Sequence, residues 1–158
     1  KILRAAQPHI KRLFLEEKEN GITNFRKVVN ISSTSGMNGN AGQINYATAK
    51  AGVVGMAKTM AKEWGRYNVN VNAVGFGLIK TRLTDADAEK EQSLIDIEGN
   101  KIKVGVNSAV FQSAKTMIPL GRPGTPQEAA GAIYMFCIPE SNYVTGQILM
   151  CHGGGFGL

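Results

Sequence analysis

Three residues have the types and spacing to do chemistry together: Ser33, Tyr46 and Lys50. Tyr46 and Lys50 are four apart, so a helix sets the phenol and the ammonium on one face, one turn from each other. A cation beside a phenol favours the phenolate and lowers a pKa that ordinarily sits at about 10. That is how a tyrosine becomes a usable acid or base near neutral pH. Ser33 lies thirteen residues before Tyr46, at the end of an apolar run, where a strand can aim its hydroxyl at the same spot. Serine, tyrosine and lysine then converge on one oxygen of a substrate.

The order serine, twelve residues, then Tyr-x-x-x-Lys resembles the signature of the short-chain dehydrogenase/reductase family. The likeness extends through Asn30-Ile31-Ser32-Ser33 and Tyr46-Ala47-Thr48-Ala49-Lys50-Ala51-Gly52. It continues in Val71-Asn72-Ala73-Val74, in Gly77-Leu78-Ile79-Lys80-Thr81, and in Val144-Thr145-Gly146-Gln147 with the terminal glycines. A tyrosine and a lysine four apart are common by chance, but this ordered set covers nearly the whole chain. Within the family it is most similar to the 3-oxoacyl-(acyl-carrier-protein) reductase branch.

The resemblance implies hydride transfer between the nicotinamide of NAD or NADP and a carbonyl or secondary alcohol, with a 3-oxoacyl thioester as the expected substrate. It implies that Tyr46 moves the proton, that Lys50 assists it and bonds the nicotinamide ribose, and that Ser33 holds the substrate oxygen. Ser32 is the alternative serine, one place out of register. Gly77, Ile79 and Thr81 are implied to lie against the nicotinamide, with the Ile79 backbone and the Thr81 hydroxyl near its carboxamide. Two residues depart from the family pattern: Phe76 stands where proline is usual, so that loop is expected to run differently, and His152 stands where aspartate is usual.

The elements that must position these groups can be read in order. Residues 1–20 carry apolar positions at helical spacing, closed by Asn20-Gly21, with Pro8 predicting a kink or a late start. Residues 27–33 read as a buried strand. A glycine- and asparagine-rich loop leads to a helix from about Gln43 to about Tyr67, full of small residues that let another backbone approach. In the resembling family this helix also packs against a partner subunit, so a homo-oligomer, dimer or tetramer, is expected. A second strand runs from Asn68 to Val74, where Asn72 is expected to bond backbone. Residues 82–118 are too long and polar for an ordinary connection and read either as a lid or as a structural insert without catalytic consequence, with a hairpin signal around Glu98-Gly99-Asn100-Lys101. Thr125, Pro126 and Glu128 form a helix start with a capping box, and that helix ends by Ile138-Pro139. Val144 to Met150 reads as a third strand.

Strand, helix, strand, lid plus helix, strand is a βαβαβ unit, and right-handed crossovers make it an α/β fold with a parallel sheet. The expectation is the C-terminal half of a doubly wound Rossmann fold, one partial domain over residues 1–158 with a lid insertion. Its dinucleotide-binding N-terminal part is expected to be missing. No glycine-rich turn of the G-x-G-x-x-G kind is present: Gly36, Gly39 and Gly42 have the wrong spacing, and no helix follows Gly153-Gly154-Gly155. The strand at 27–33 is then left with an open edge.

Composition narrows the remaining classes. With 43% hydrophobic residues among 158, the chain has the material for one domain with a core. No apolar run in it is long enough to span a bilayer and its opening residues do not read as a charged-then-apolar leader, so neither a membrane partner nor a secretion signal is expected. Two cysteines, Cys137 and Cys151, point to a reducing, cytoplasmic setting rather than a disulfide framework, with Cys137 expected in the core. The net charge of +6 is scattered, which argues against nucleic acid and suits an anionic cofactor or thioester carrier. His9 and His152 lie far apart and are expected at the surface, with no metal site. Lys11-Arg12 reads as a solvated helix face. Two rival readings remain: a Ser33/Lys50 hydrolase, which leaves Tyr46 idle, and a catalytically inactive truncated chain acting as an assembly piece.

Overall fold

The computed structural model describes residues 1–81, 94–97, 100–103, 113 and 116–155. Its elements in order are helix α1 (Ile2–Glu19), strand β1 (Arg26–Ser33), helix α2 (Thr34–Asn38), helix α3 (Ile44–Trp64), strand β2 (Val69–Phe76), strands β3 (Leu94–Ile97) and β4 (Asn100–Lys103), helix α4 (Pro126–Tyr134) and strand β5 (Ile148–Cys151). Strands β1, β2 and β5 form a parallel sheet with β2 in the centre. The α/β architecture expected from the sequence is therefore present, and β1 is an edge strand among the described residues.

Alternation along β2 explains how the sheet is covered. Val69, Val71 and Ala73 pack with Ala57, Met60, Ala61 and Trp64 of α3. Val74, one residue out of step, packs instead with Ala132 of α4 and with Phe136. Side chains two apart share a face, so α3 and α4 lie on opposite faces of the sheet. Helix α1 joins the first face through the half-buried Leu3 and Ile10. An edge-on contact between Phe14 and Tyr67, centroids 5.7 Å apart, adds to that join. Its polar side carries Lys11 and Arg12 in solvent, and Arg12 pairs with Glu16 at 2.7 Å.

The first two even positions of β2 are asparagines, Asn70 and Asn72, and each uses both its amide nitrogen and its amide oxygen. Asn72 is completely buried; its Nδ2 donates to the Val144 carbonyl at 3.0 Å and its Oδ1 accepts from the Gln147 N–H at 2.9 Å. Asn70 donates to the Asn142 carbonyl and accepts from the Lys27 ammonium. Thr145 Oγ1 accepts from the Val71 N–H at 3.0 Å. Residues 144–147 thus lie beside β2, held by these side-chain bonds together with two backbone bonds, Gly146 N–H to the Val71 carbonyl at 2.8 Å and Ala73 N–H to the Gln147 carbonyl at 2.9 Å, and the strand geometry is interrupted at Gly146 with its positive φ of 72°. For that reason β5 begins at Ile148, not at Val144 as expected, and runs on to Cys151.

Other expectations need adjusting. Helix α1 starts at Ile2 and runs through Pro8, so there is no late start. Helix α3 ends at Trp64, and Gly65–Tyr67 tightens into a 3-10 turn before Asn68 at φ 55°. The loop after Ser33 contains the short helix α2, because the Ser33 side chain caps it and Gly39 ends it at φ 77°. Cys137 is exposed, not core: it follows Phe136, which takes the last inward position after α4 ends. His9 is exposed as expected, whereas His152 is half-buried, its Nδ1 accepting from the Gly154 N–H at 3.0 Å.

Within 82–118, β3 and β4 pair antiparallel from Leu94 opposite Lys103 to Ile97 opposite Asn100. The hairpin is real, and its second strand resumes at Asn100. Glu98, Gly99 and most of the expected lid lie outside the described residues. No helix among the described residues is long and apolar enough to cross a membrane.

Candidate active site

Ser33 is the last residue of β1, opposite Phe76 of β2, at the carboxyl end of the parallel sheet. Crevices at that end are where open α/β sheets bind ligands. The parity of β1 decides which serine reaches the crevice. Val28 packs with the α3 side of the core and Val29 with the α4 side, so Ser32 belongs to the first face and Ser33 to the second. Ser32, 2% exposed, donates its hydroxyl to the Lys50 carbonyl at 2.8 Å. Ser33, 8% exposed, lines the cleft, and its Oγ accepts from the Ser35 N–H at 3.2 Å. Its hydroxyl hydrogen is left to donate elsewhere.

Tyr46 and Lys50 stand on the first turns of α3, as their spacing requires. The Lys50 ammonium lies 5.6 Å from the centre of the Tyr46 ring, within cation–π range. It also donates to the Ile31 carbonyl at 3.1 Å, which ties the helix back to β1. Tyr46 lines the cleft with 44% of its surface open to it and to solvent. Gly36 lets α2 come this close to α3: a Cβ there would sit 2.7 Å from the Lys50 backbone carbon and its Cβ. Helix, strand and α2 therefore meet at Lys50.

The opposite wall is the strip that leaves β2. Phe76, Gly77, Leu78, Ile79 and Thr81 all line the cleft. The strip is anchored at both ends. The Gly77 N–H donates to the Cys151 carbonyl at 3.0 Å, and Lys80 and Leu78 exchange backbone hydrogen bonds with Gly124 at 2.8 and 3.0 Å. Gly77 is required here because a Cβ would meet the His152 Cβ at 2.7 Å. Phe76, in place of the usual proline, prolongs β2 by one paired residue and packs with the Val74 cluster.

The cleft measures about 840 Å³. It brings together Ser33, Tyr46, Gly77, Ile79 and Thr81, while Lys50 stands behind Tyr46 and does not line it. Sequence reasoning missed two parts of the lining. One is the first two turns of α4, where Pro126, Ala129 and Ile133 line the cleft; the sequence puts Ala129 and Ile133 on the helix's apolar face but does not say that this face reaches the cleft. The other is Gln43 with Asn40 of the preceding loop and Asn38, the last residue of α2. Position 43 precedes Tyr46 by three, a helical spacing that marks a shared face.

The first turn of α4 is held by charge. Thr125 Oγ1 accepts from the Glu128 N–H at 3.2 Å, and Glu128 accepts in return from the Thr125 N–H at 2.8 Å. Arg122 makes a two-pronged pair with the same carboxylate at 2.9 and 2.6 Å. The Arg122 guanidinium, followed by the Thr125 backbone bond, holds the Glu128 carboxyl down to a pKa of about 2.

Comparison with known proteins bears on the fold and the family. Residues 12–155 match the family model described as enoyl-(acyl carrier protein) reductase. The chain is 42% identical over 127 residues to a 3-oxoacyl-(acyl-carrier-protein) reductase of Thermotoga maritima, covering 80% of this chain and 44% of that protein. Against the Aquifex aeolicus protein of the same name it is 38% identical over 130 residues, covering 82% and 45%. The chain thus spans less than half the length of these curated relatives. A short-chain dehydrogenase from Bacillus anthracis superposes with a TM-score of 0.63 at 31% identity, over 91% of this chain and 49% of that one. A 4-hydroxyisoleucine dehydrogenase solved with NADH gives 0.64 over 91% and 51%, and at 23% identity it shows likeness of fold alone. The chain belongs to the short-chain dehydrogenase/reductase family.

Proposed function

We propose that this chain is the catalytic half of an NAD(P)-dependent oxidoreductase that reduces a carbonyl to a secondary alcohol, with a 3-oxoacyl thioester as substrate. One observation carries the reading. The hydroxyls of Ser33 and Tyr46 share a cleft with the Gly77–Thr81 strip, and a lysine ammonium stands directly behind the phenol.

The cleft residues fit the nicotinamide half of such a cofactor. Ile79, Phe76 and Ile133 supply apolar walls for a planar ring, and Thr81 and Tyr46 supply polar groups at its edge. When bound there, a reduced nicotinamide would supply a hydride to the carbonyl carbon. Ser33 donates a hydrogen bond to the carbonyl oxygen and fixes its position. Tyr46 delivers the proton that completes the alcohol, and the Lys50 charge stabilises the phenolate left behind. The Arg122–Glu128 pair and the capping box hold α4 as the floor. The +6 net charge favours an anionic cofactor and carrier. The outer face of α3, with exposed Ala51, Gly52, Gly55 and Met56, suits packing against a second copy in a cytoplasmic homo-oligomer.

Consumption of NADH or NADPH with a 3-oxoacyl thioester tests the reading. Tyr46→Phe is expected to lower kcat by about 10²–10⁴-fold, the range of a lost general acid. Undiminished turnover in that variant would remove Tyr46 from the chemistry and the proposal with it.

A further inference from the structure

Two neighbouring residues of β1 hold the two ends of Lys50. The Ile31 carbonyl accepts from its ammonium at 3.1 Å, and the Ser32 hydroxyl donates to its backbone carbonyl at 2.8 Å. Ser32 is buried, so water does not compete for that bond. The Lys50 carbonyl lies inside α3, where the helix already supplies it with an N–H from four residues on. The hydroxyl takes its remaining lone pair, a bond that the helix does not need for its own sake. Gly36 closes a third side: a Cβ there would stand 2.7 Å from the Lys50 backbone carbon and 2.8 Å from the Ala51 nitrogen. Strand, helix and α2 thus fix one residue, and it is the residue whose charge stands 5.6 Å from the centre of the Tyr46 ring.

We infer that Ser32 is a positioning residue of the proton-transfer step, acting through Lys50: its hydroxyl sets where the lysine stem begins, and so where the ammonium stands behind Tyr46. This inference rests on the reductase reading above and adds a residue to its machinery. A lysine stem is long and, left to itself, samples many rotamers. Holding the carbonyl fixes one end of the stem and holding the ammonium fixes the other. Charge interactions change with distance, and a displacement of about 1 Å in a catalytic array can cost about 10²-fold in rate. The twin serines then divide the work: Ser33 serves the cleft, and Ser32 serves the helix that delivers the charge.

The carbonyl that Ser32 bonds is backbone, so Lys50→Met keeps that bond and removes only the charge. This separates positioning from plain fastening. With a 3-oxoacyl thioester and a reduced nicotinamide cofactor, Ser32→Ala is expected to lower kcat about tenfold and to leave KM for the thioester within about twofold. In a Lys50→Met background the same change is expected to cost less than about twofold, because the charge it positions is gone. An equal loss in both backgrounds would make Ser32 a fastener of α3 and overturn the inference. No loss in either would overturn it too. A second readout needs no turnover. The ring signals of isotope-labelled Tyr46 in NMR are expected to move in Ser32→Ala in the direction they move in Lys50→Met, and signals that stay in place would overturn the inference. Ser32→Cys keeps nearly the same size with a weaker donor, so it is expected to fall between wild type and Ser32→Ala, and it carries the test on the same criteria if the alanine variant does not fold. A wild-type chain that turns over no carbonyl would sink the reductase reading instead, and the Tyr46 signals then decide whether Ser32 positions Lys50.

Discussion

Asn72 shows how much a single buried polar residue can hold. It has no contact with solvent, and its two bonds bring the Val144 carbonyl and the Gln147 N–H against the central strand. Truncation to alanine strands both groups in a dry place, and each such loss costs about 1–3 kcal/mol. Asn72→Ala is therefore expected to lower stability by about 2–4 kcal/mol in urea unfolding, with a change below about 0.5 kcal/mol counting against this account. The sequence supports part of this: an asparagine inside an apolar strand must find backbone partners. Which partners it finds depends on where residues 142–147 run, and nothing local says that. The partner of Ser32 was hidden for a related reason. Only the fold brings its hydroxyl to the Lys50 carbonyl. Cys137 misled in the opposite direction, because an apolar neighbourhood in sequence does not say which side of a terminating helix a residue takes.

Helix α4 is the element whose sequence said most. Thr125, Pro126 and Glu128 mark its start, and both bonds of the capping box are present. The Arg122 pair was not legible, since it depends on the turn at Gly121–Gly124 bringing residues six apart together. That pair makes the element acid-sensitive. The Glu128 pKa falls from its ordinary 4.5 to about 2 in the folded protein, so the folded state favours the charged form. Its contribution is fully present above pH 4.5 and disappears as pH falls toward 2. Arg122→Ala removes the first cause of the shift, and the Glu128 carboxyl followed by NMR is expected to titrate closer to its ordinary value. Unchanged titration in that variant would leave the hydrogen bonds of the cap as the dominant cause. Strand β5 begins four residues later than expected for a reason of the same kind: residues 144–147 join β2 through a mixture of side-chain and backbone bonds around Gly146 at positive φ, and nothing local announces that.

For the whole molecule, burial falls away from β2. Its residues from Val69 to Gly75 are all buried, with β1 and β5 on its two edges and helices on its two faces. Helix α1 has no fully buried residue. Native-state hydrogen exchange is expected to find the slowest amides in β2 and much faster ones in α1, because opening costs least where least is covered. An α1 as protected as β2 would contradict this layering. The parallel sheet and the crossovers were readable from element order alone. The shape of the cleft was not, since it arises where three separate stretches end together. The same sheet exposes an ambiguity written into β1. Its sequence Val28-Val29-Asn30-Ile31-Ser32-Ser33 doubles its residues at both ends, so a slip by one place would still set a valine on each face and a serine at the cleft. The strand's own pattern is thus nearly blind to its alignment. Part of what breaks the tie sits at the far end from the chemistry: Arg26 bound to Glu17 and to the Asn68 carbonyl, and Lys27 bound to Asn70 and Ser141. Two cations at the opposite end of the strand thus join the Ser32 and Ile31 bonds to Lys50 in settling which of two identical hydroxyls enters the cleft.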